Sequence, residues 1–297
     1  MIDYRLFPFL SPGKRFVQRS WLIPAAIFAA ATTALAHSAN HPDVFLLLFG
    51  ACICMVCYFF IDLLCHQKKP FWVGIAVAAG MAILMATPVV DSILIAFRSF
   101  LPALGLEDVR QLPAASRFGF FFVAAGLPEE LAKAIPVFIC FVFGHIYEDS
   151  FGRSVRVRSP VDGILIGAAA GIGFALVETL GQYVPLAEAQ FSDRGLASYE
   201  GLVIATYRLV SVLFSHMAWS GYFGYFIGLA ASKLVNPLTA LAVGWVSAAL
   251  LHALWDCFAA SAPTSGIIAC VSYSLLAAAI LEARRLHSLD QCVSARN

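Results

Sequence analysis

Residues 162–183 read DGILIGAAAGIGFALVETLGQY, and the reading of this stretch decides the fold class. Between Asp162 at one end and Glu178 near the other stands no charged side chain. A run of about 20 apolar residues is the length of a helix that crosses the hydrocarbon core of a bilayer. Gly163, Gly167, Gly171 and Ala175 recur at every fourth position, which lays small side chains along one helix face. Such a ridge lets a neighbouring helix backbone approach closely inside a membrane. Phe174 and Glu178, four residues apart, are offset from the ridge. Ser220, Gly224 and Gly228 make a second ridge further along, so the two segments are expected to pack together.

Outward from this stretch, similar apolar runs cover most of the chain. Candidate spans lie at 21–37, 44–64, 71–97, 118–144, 161–181, 203–231, 234–260 and 264–282. Pro88, Pro128, Pro136 and Pro237 are the expected benders of the longer ones. Composition agrees. The 297 residues are 61% hydrophobic and only 12% charged, against roughly 25% charged in soluble domains. A chain this apolar cannot cover a water-facing surface, so the predicted fold is all-α, a polytopic transmembrane bundle of about eight spans. The expected organisation is an N-terminal cytoplasmic segment over 1–20, one transmembrane domain over 21–282 with a catalytic-like core at 118–260, and a cytoplasmic tail over 283–297.

Charge placement sets the orientation. With the N-terminus inside, the inner side holds Arg5, Lys14, Arg15, Arg19, Lys68, Lys69, Arg153, Arg156, Arg158, Lys233, Arg284, Arg285 and Arg296. The outer side holds only Arg98, Arg110, Arg117 and Arg194. Cytoplasmic loops carry the excess of Lys and Arg, so both termini are expected in the cytoplasm. Residues 1–36 have the charge order of a signal peptide, ending in Ala34-Leu35-Ala36, but the charge count works with the first span kept and it reads as a retained helix. The net charge of +1 alone says nothing about partners, and no basic run is long enough to suggest nucleic acid, so no nucleic-acid partner is expected. No cysteine pair falls in an outer loop, which argues against a structural disulfide. Cys52 and Cys54 point about 200° apart on a helix, so with Cys57 they read as packing residues instead of a metal cluster.

Ionisable groups inside spans are costly to insert, by about 2.5–3.5 kcal/mol each, and mark function. Glu129 lies eleven residues past Phe118, Glu178 three before Gly181, His216 thirteen past Val203 and His252 eight before Ala260. At about 1.5 Å per residue these positions share one layer, between the outer surface and the bilayer middle. Lys133 stands four residues after Glu129 and three after Glu130, close enough for an ion link. Two adjacent carboxylates in low dielectric do not both ionise easily, a device for tuning a general base or acid. Asp256 follows His252 by four residues, where a carboxylate can orient an imidazole. Arg208 reads as a counter-ion for an interior carboxylate, and Asp91 as an interfacial residue.

Four blocks carrying these residues resemble the PrsW family of intramembrane proteases, relatives of the CAAX prenyl endopeptidases and bacteriocin-immunity membrane proteins. GLPEELAKAIPVF at 126–138 is similar to the family's Glu-Glu-x-x-Lys motif at Glu129, Glu130 and Lys133. The stretch at 162–183 resembles its second block at Asp162, Gly163, Gly173, Phe174, Ala175 and Glu178. YRLVSVLFSHMAWSGYFGYFIG at 207–228 supplies Arg208 and His216, and LLHALWDCF at 250–258 supplies His252 and Trp255. The blocks span about half of the chain. Thr179 and Asp256 stand where the family more often has Asn.

The resemblance implies a peptidase that cuts a membrane protein within or near the outer half of the bilayer. Glu129 or Glu130 would activate a water. His216 and His252 would either hold a zinc ion with Glu178 or stabilise the oxyanion directly. Lys133, Asp162, Arg208 and Asp256 would support them. An anti-sigma factor is the family's best-known substrate theme, and the bacterial inner membrane its usual location. Two other classes fit the same residues. A proton-coupled transporter would use them as a relay, though no inverted repeat is present. A non-catalytic binding or immunity protein would keep the scaffold without the chemistry.

Overall fold

The computed structural model describes residues 22–38, 41–66, 69–147, 150–185, 189, 197–258 and 261–294, and among them every regular element is helical. The chain divides into two compact units, 1–52 and 53–297. In the first, α1 (Leu22–His37) is an alanine-rich helix with Pro24 in its first turn, where a missing N–H costs nothing. The opening turns of α2 (Pro42–Cys65) complete the described part of that unit.

In the second unit, α3 (Phe71–Met85) and α4 (Pro88–Arg98) occupy the run at 71–97 and are bent by 63° at the junction. The cause is Pro88. It offers no N–H to the Leu84 carbonyl and holds Thr87 in extended backbone. Thr87 satisfies that carbonyl itself, with Oγ1 donating at 2.6 Å and the backbone N–H at 3.0 Å. The short α5 (Leu106–Gln111) follows, and then α6 (Ala114–Phe121), which passes through a π-helical turn at Phe122–Gly126 into α7 (Leu127–Ile146). Pro128 sits in the first turn of α7 and leaves the Ala124 carbonyl without its helical donor. Arg98 reaches across from α4 and donates to that carbonyl through Nε at 3.1 Å.

A short α8 (Ser150–Val155) leads to α9 (Pro160–Glu178), the quoted stretch, in which every residue from 163 to 175 is buried. Ser159 caps it. Asp162 N–H donates to Ser159 Oγ at 3.2 Å and Asp162 Oδ2 accepts from Ser159 N–H at 3.1 Å, a reciprocal capping box. A second π-helical turn, Thr179–Tyr183, follows Glu178 directly. The last helices are α10 (Ala197–Ala231), α11 (Pro237–Phe258) and α12 (Ala262–Ser294). The sequence reading ended the last span at 282, whereas the helix continues to Ser294, helped by the Glu282–Arg285 ion pair one turn apart.

The two ridges meet as expected. A Cβ added at Gly163, Gly167 or Gly171 would lie under 3.0 Å from the backbone oxygens of Gly224, Ser220 and His216 respectively, so α9 and α10 touch backbone to backbone. Gly173 does the same against Ala78 of α3, and Gly126 against Ala249 of α11. These notches seat α10 and α3 against α9, and the turn before α7 against α11.

Among the described residues four helices are long and apolar enough to cross a membrane: Val44–Cys65, Pro160–Tyr183, Pro237–Phe258 and Pro263–Leu289. The bent α3–α4 pair makes a fifth if counted as one broken span. α1, with 16 residues, is shorter than a full crossing, and α7 carries Glu129, Glu130 and Lys133 within its 20 residues. The chain is an all-helical integral membrane protein. Exposed Leu, Ile, Val and Phe side chains such as Ile83, Ile95, Leu238 and Leu281 are what a lipid-facing surface requires.

Candidate functional site

The carboxylates and imidazoles that the sequence placed at one depth lie in contact. α7 brings Glu129, Glu130 and Lys133, α9 brings Glu178, α10 brings His216, and α11 brings His252 and Asp256. Both π-helical turns flank this layer, one ending three residues before Glu129 and the other beginning right after Glu178. A π turn rotates the side chains that follow it relative to an unbroken helix, and such turns recur at functional sites.

Lys133 is the centre of the cluster and is fully buried. Its Nζ lies 2.8 Å from Glu130 Oε1, 2.7 Å from His216 Nδ1 and 3.7 Å from Glu129 Oε2, and 4.2 Å above the Phe174 ring. A buried ammonium needs such compensation in low dielectric. Glu130 is completely buried too, and both of its oxygens are engaged. Oε1 accepts from Lys133 and meets His252 Nδ1 at 3.0 Å, while Oε2 accepts from Ser220 Oγ at 3.3 Å.

Glu129 differs from its neighbour. Its Oε2 is buried without a hydrogen bond, 3.5 Å from His252 Nε2. Adjacent residues on a helix point about 100° apart, so one carboxylate turns towards Lys133 and Nδ1 of His252 and the other towards Nε2 of that ring. His216 Nε2 faces Glu178 Oε2 at 3.3 Å, and His252 Nε2 also faces Asp256 Oδ2 at 3.6 Å. In the sequence Asp256 reads as a carboxylate able to orient the His252 imidazole, and the two do face each other. Asp256 shares the Nε2 side with Glu129, while Glu130 faces Nδ1.

Aromatic rings fix the imidazoles. Trp219 stacks on His252 with centroids 4.6 Å apart and packs edge-on to His216 at 5.1 Å. Its indole N–H donates to Ser272 Oγ of α12 at 2.9 Å, which ties the last helix to the cluster. Trp219 and Ser272 were not singled out from the sequence. The signal available was a shared spacing: His216 and His252 each have a Trp three residues on, Trp219 and Trp255, and those two rings meet at 6.4 Å.

One of the residues expected in support, Asp162, lies elsewhere. Asp162 is at the opposite end of α9, sixteen residues from Glu178, roughly 24 Å along the helix axis. There it closes the capping box and pairs with Lys69 at 3.1 Å, while Lys69 also donates to the carbonyls of Ser154 and Arg156. The side chain of Arg208 lies outside the described residues. Asp91 is an exposed residue in the first turn of α4. Cys54 and Cys57 are buried in the apolar core, as packing residues would be.

Glu129, His216 and His252 offer donor atoms that all lie within 4.8 Å of one another, a spacing that could hold a metal ion. The set read from the sequence had Glu178 in place of Glu129. The unbonded Glu129 Oε2 is the feature that fits a cation, because a buried carboxylate oxygen without a hydrogen bond is otherwise costly.

A family model described as PrsW family intramembrane metalloprotease matches residues 68–282. No curated protein matches the chain, and no solved structure does.

Proposed function

The chain belongs to the PrsW family of intramembrane metalloproteases, and from that membership we propose that it is an endopeptidase that hydrolyses a membrane-protein substrate within or near the outer half of the bilayer, with Glu129 as the base. The observation that carries the assignment is the contrast within the glutamate pair. Glu130 has both oxygens committed to Lys133, His252 and Ser220, whereas Glu129 keeps a buried oxygen without a hydrogen bond beside an imidazole.

The chemistry follows from that contrast. Glu129 accepts a proton from water as the water oxygen bonds to the scissile carbonyl carbon. An imidazole N–H donates to the oxygen on which negative charge develops. The proton held by Glu129 passes to the leaving nitrogen, the C–N bond breaks, and a carboxylic acid and an amine are released. The walls of the site exclude bulk water, which strengthens each of these interactions.

The family name implies a metal ion, and on distance Glu129, His216 and His252 would hold one; with that ion bound Glu129 would be a ligand, so its role as the base belongs to the metal-free reading. When bound, it would polarise the scissile carbonyl and make the attacking water more acidic. Glu130 at Nδ1 of His252 is the kind of outer partner that orients a ligating imidazole.

The reading extends to the whole chain as a multi-pass protein of the bacterial inner membrane, with eight spans and both termini in the cytoplasm. An anti-sigma factor is the candidate substrate. Glu129→Gln is expected to lower cleavage of a reconstituted single-span substrate by about 10²–10⁴-fold, the usual worth of a general base. Undiminished cleavage by that variant would exclude Glu129 as the base. Elemental analysis of protein purified without chelator decides between the metal-bound and the metal-free reading: about one zinc per chain would make Glu129 a ligand, and a folded, active, metal-free protein would assign the reaction to carboxylate and imidazole alone.

A further inference from the structure

The glutamate pair stands in the first turn of α7, and the backbone just before it is held by side chains from two other helices. Pro128 has no N–H, so the Ala124 carbonyl of the π-helical turn lacks its helical donor. Arg98, the last residue of α4, donates to it through Nε at 3.1 Å. An arginine at the end of an exposed helix can turn its head to water at little cost; this one commits Nε to the backbone of a neighbour. Three residues on, the Leu127 carbonyl accepts from the indole N–H of Trp245 on α11 at 2.9 Å. The two donors are linked, because Phe97, next to Arg98, packs edge-on against the Trp245 ring with centroids 6.2 Å apart.

The face of α11 that meets this turn is also the face that carries the histidine. Trp245, Ala249, His252 and Asp256 follow one another at spacings of four, three and four, which is one stripe of a helix. Trp245 bonds to Leu127, Ala249 lies against Gly126 with no room for a Cβ between them, and His252 meets Glu130 at 3.0 Å and Glu129 at 3.5 Å. The height of α7 against α11 is therefore set at Gly126 and Leu127, immediately before the glutamates. Arg98 holds the same turn from α4, and α4 reaches it because the chain bends by 63° at Pro88.

We propose that the bent α4 is a brace for the glutamate pair, and that Arg98 and Trp245 are positioning residues that hold Glu129 and Glu130 at their height opposite His252. This goes beyond the hydrolytic reading above and rests on it. Neither residue touches the reacting atoms. Each acts through a backbone carbonyl within five residues of Glu129.

The test measures kcat and KM separately for the full-length protein with a reconstituted single-span substrate, together with amide hydrogen exchange over 122–131. Arg98→Met keeps the length and removes the donor. It should lower kcat by about 10–10²-fold, the usual effect of misplacing a catalytic group by about an ångström, and leave KM unchanged. Arg98→Lys, which keeps a donor of similar reach, should recover most of the loss. Trp245→Phe keeps a ring against Phe97 and should lower kcat without moving KM. Exchange over 122–131 should quicken in Arg98→Met and return towards the wild-type rate in Arg98→Lys. Lys69→Met is the control for stability alone: it removes a lysine that also donates to backbone carbonyls, at the far end of α9, and should lower the thermal midpoint while kcat holds. An unchanged kcat in Arg98→Met, a change confined to KM, an equal loss in Arg98→Lys, or a matching loss of kcat in Lys69→Met would each overturn the proposal. Should Arg98→Met fail to fold, Arg98→Lys and Trp245→Phe still decide it: both should fold, with kcat near wild type in the first and lowered in the second, and the reverse order would overturn it. If the wild-type protein cleaves nothing, the hydrolytic reading fails by itself and the exchange rates over 122–131 decide the brace, which unchanged exchange in Arg98→Met would overturn.

Discussion

At the scale of single residues, the pair Glu129–Glu130 separates support from chemistry. Removing one partner of a buried ion pair leaves the other charge uncompensated, at a cost of about 3–5 kcal/mol. Glu130→Gln should therefore lower stability by about that amount, read as a fall in the thermal unfolding midpoint in detergent. Glu129→Gln should lower it less, because its Oε2 has no hydrogen bond to lose and stands farther from Lys133, at 3.7 Å against 2.8 Å for Glu130. Equal destabilisation by the two substitutions would show that both carboxylates are structural. The sequence carried the types and depths of these residues, since an apolar span makes each charge conspicuous. It could not assign the pair, because that depends on which neighbour of α7 turns towards α10 and α11. Asp256 shows the same limit. Its spacing from His252 was legible, but which ring nitrogen it would face depended on Glu130 arriving from another helix. Asp162 was grouped with the site by its place in a sequence block, although its own neighbours, Ser159 and Lys69, make it a helix cap and ion-pair partner.

At the scale of elements, the contact between α9 and α10 determines how near Glu178 and His216 can come. A methyl group at Gly167 would meet the Ser220 carbonyl with no flexible side chain to give way. Gly167→Ala should cost about 1–3 kcal/mol, the usual range for overpacking, and should lower cleavage by widening the gap that Glu178 and His216 now close at 3.3 Å. Gly80 in α3 is the control, since a Cβ there meets nothing within 4 Å. Gly80→Ala should stabilise by about 0.5–1 kcal/mol through helix propensity. Thermal unfolding of both variants checks the pair, and a neutral Gly167→Ala would mean that the ridge yields. The ridges and the break at Pro88 were legible because small residues and proline act through local chemistry. The two π-helical turns were not. A π turn depends on one extra residue between helical segments held at both ends by their neighbours, as Arg98 holds the Ala124 carbonyl and Gly126 sits against Ala249.

At the scale of the whole molecule, the cluster and the cap of α9 stand at opposite ends of one buried helix, so the sidedness of the membrane decides which compartment the chemistry faces. Hydropathy identified where the helices lie, but it counts only side chains. A helix carrying the glutamate pair and the lysine that compensates it looks no more apolar than a soluble one, which is why α7 falls short as a crossing helix on composition alone. Orientation therefore rests on the loops. The loops around Lys69 and Arg153–Arg158 are rich in lysine and arginine, while the turn at α5 carries Glu107, Asp108 and Arg110. Lysine and arginine excess marks the cytoplasmic side. Alkaline phosphatase is active only outside the cytoplasm, so a fusion after Glu107 should be active and one after Arg158 inactive. Fluorescent-protein fusions, which report the cytoplasm, should give the inverse pattern and should light at the C-terminus. The opposite pattern would invert the protein, and with it move the cluster of Glu129, His216 and His252 to the inner half of the bilayer, where the substrate to seek would be one cut near its cytoplasmic end.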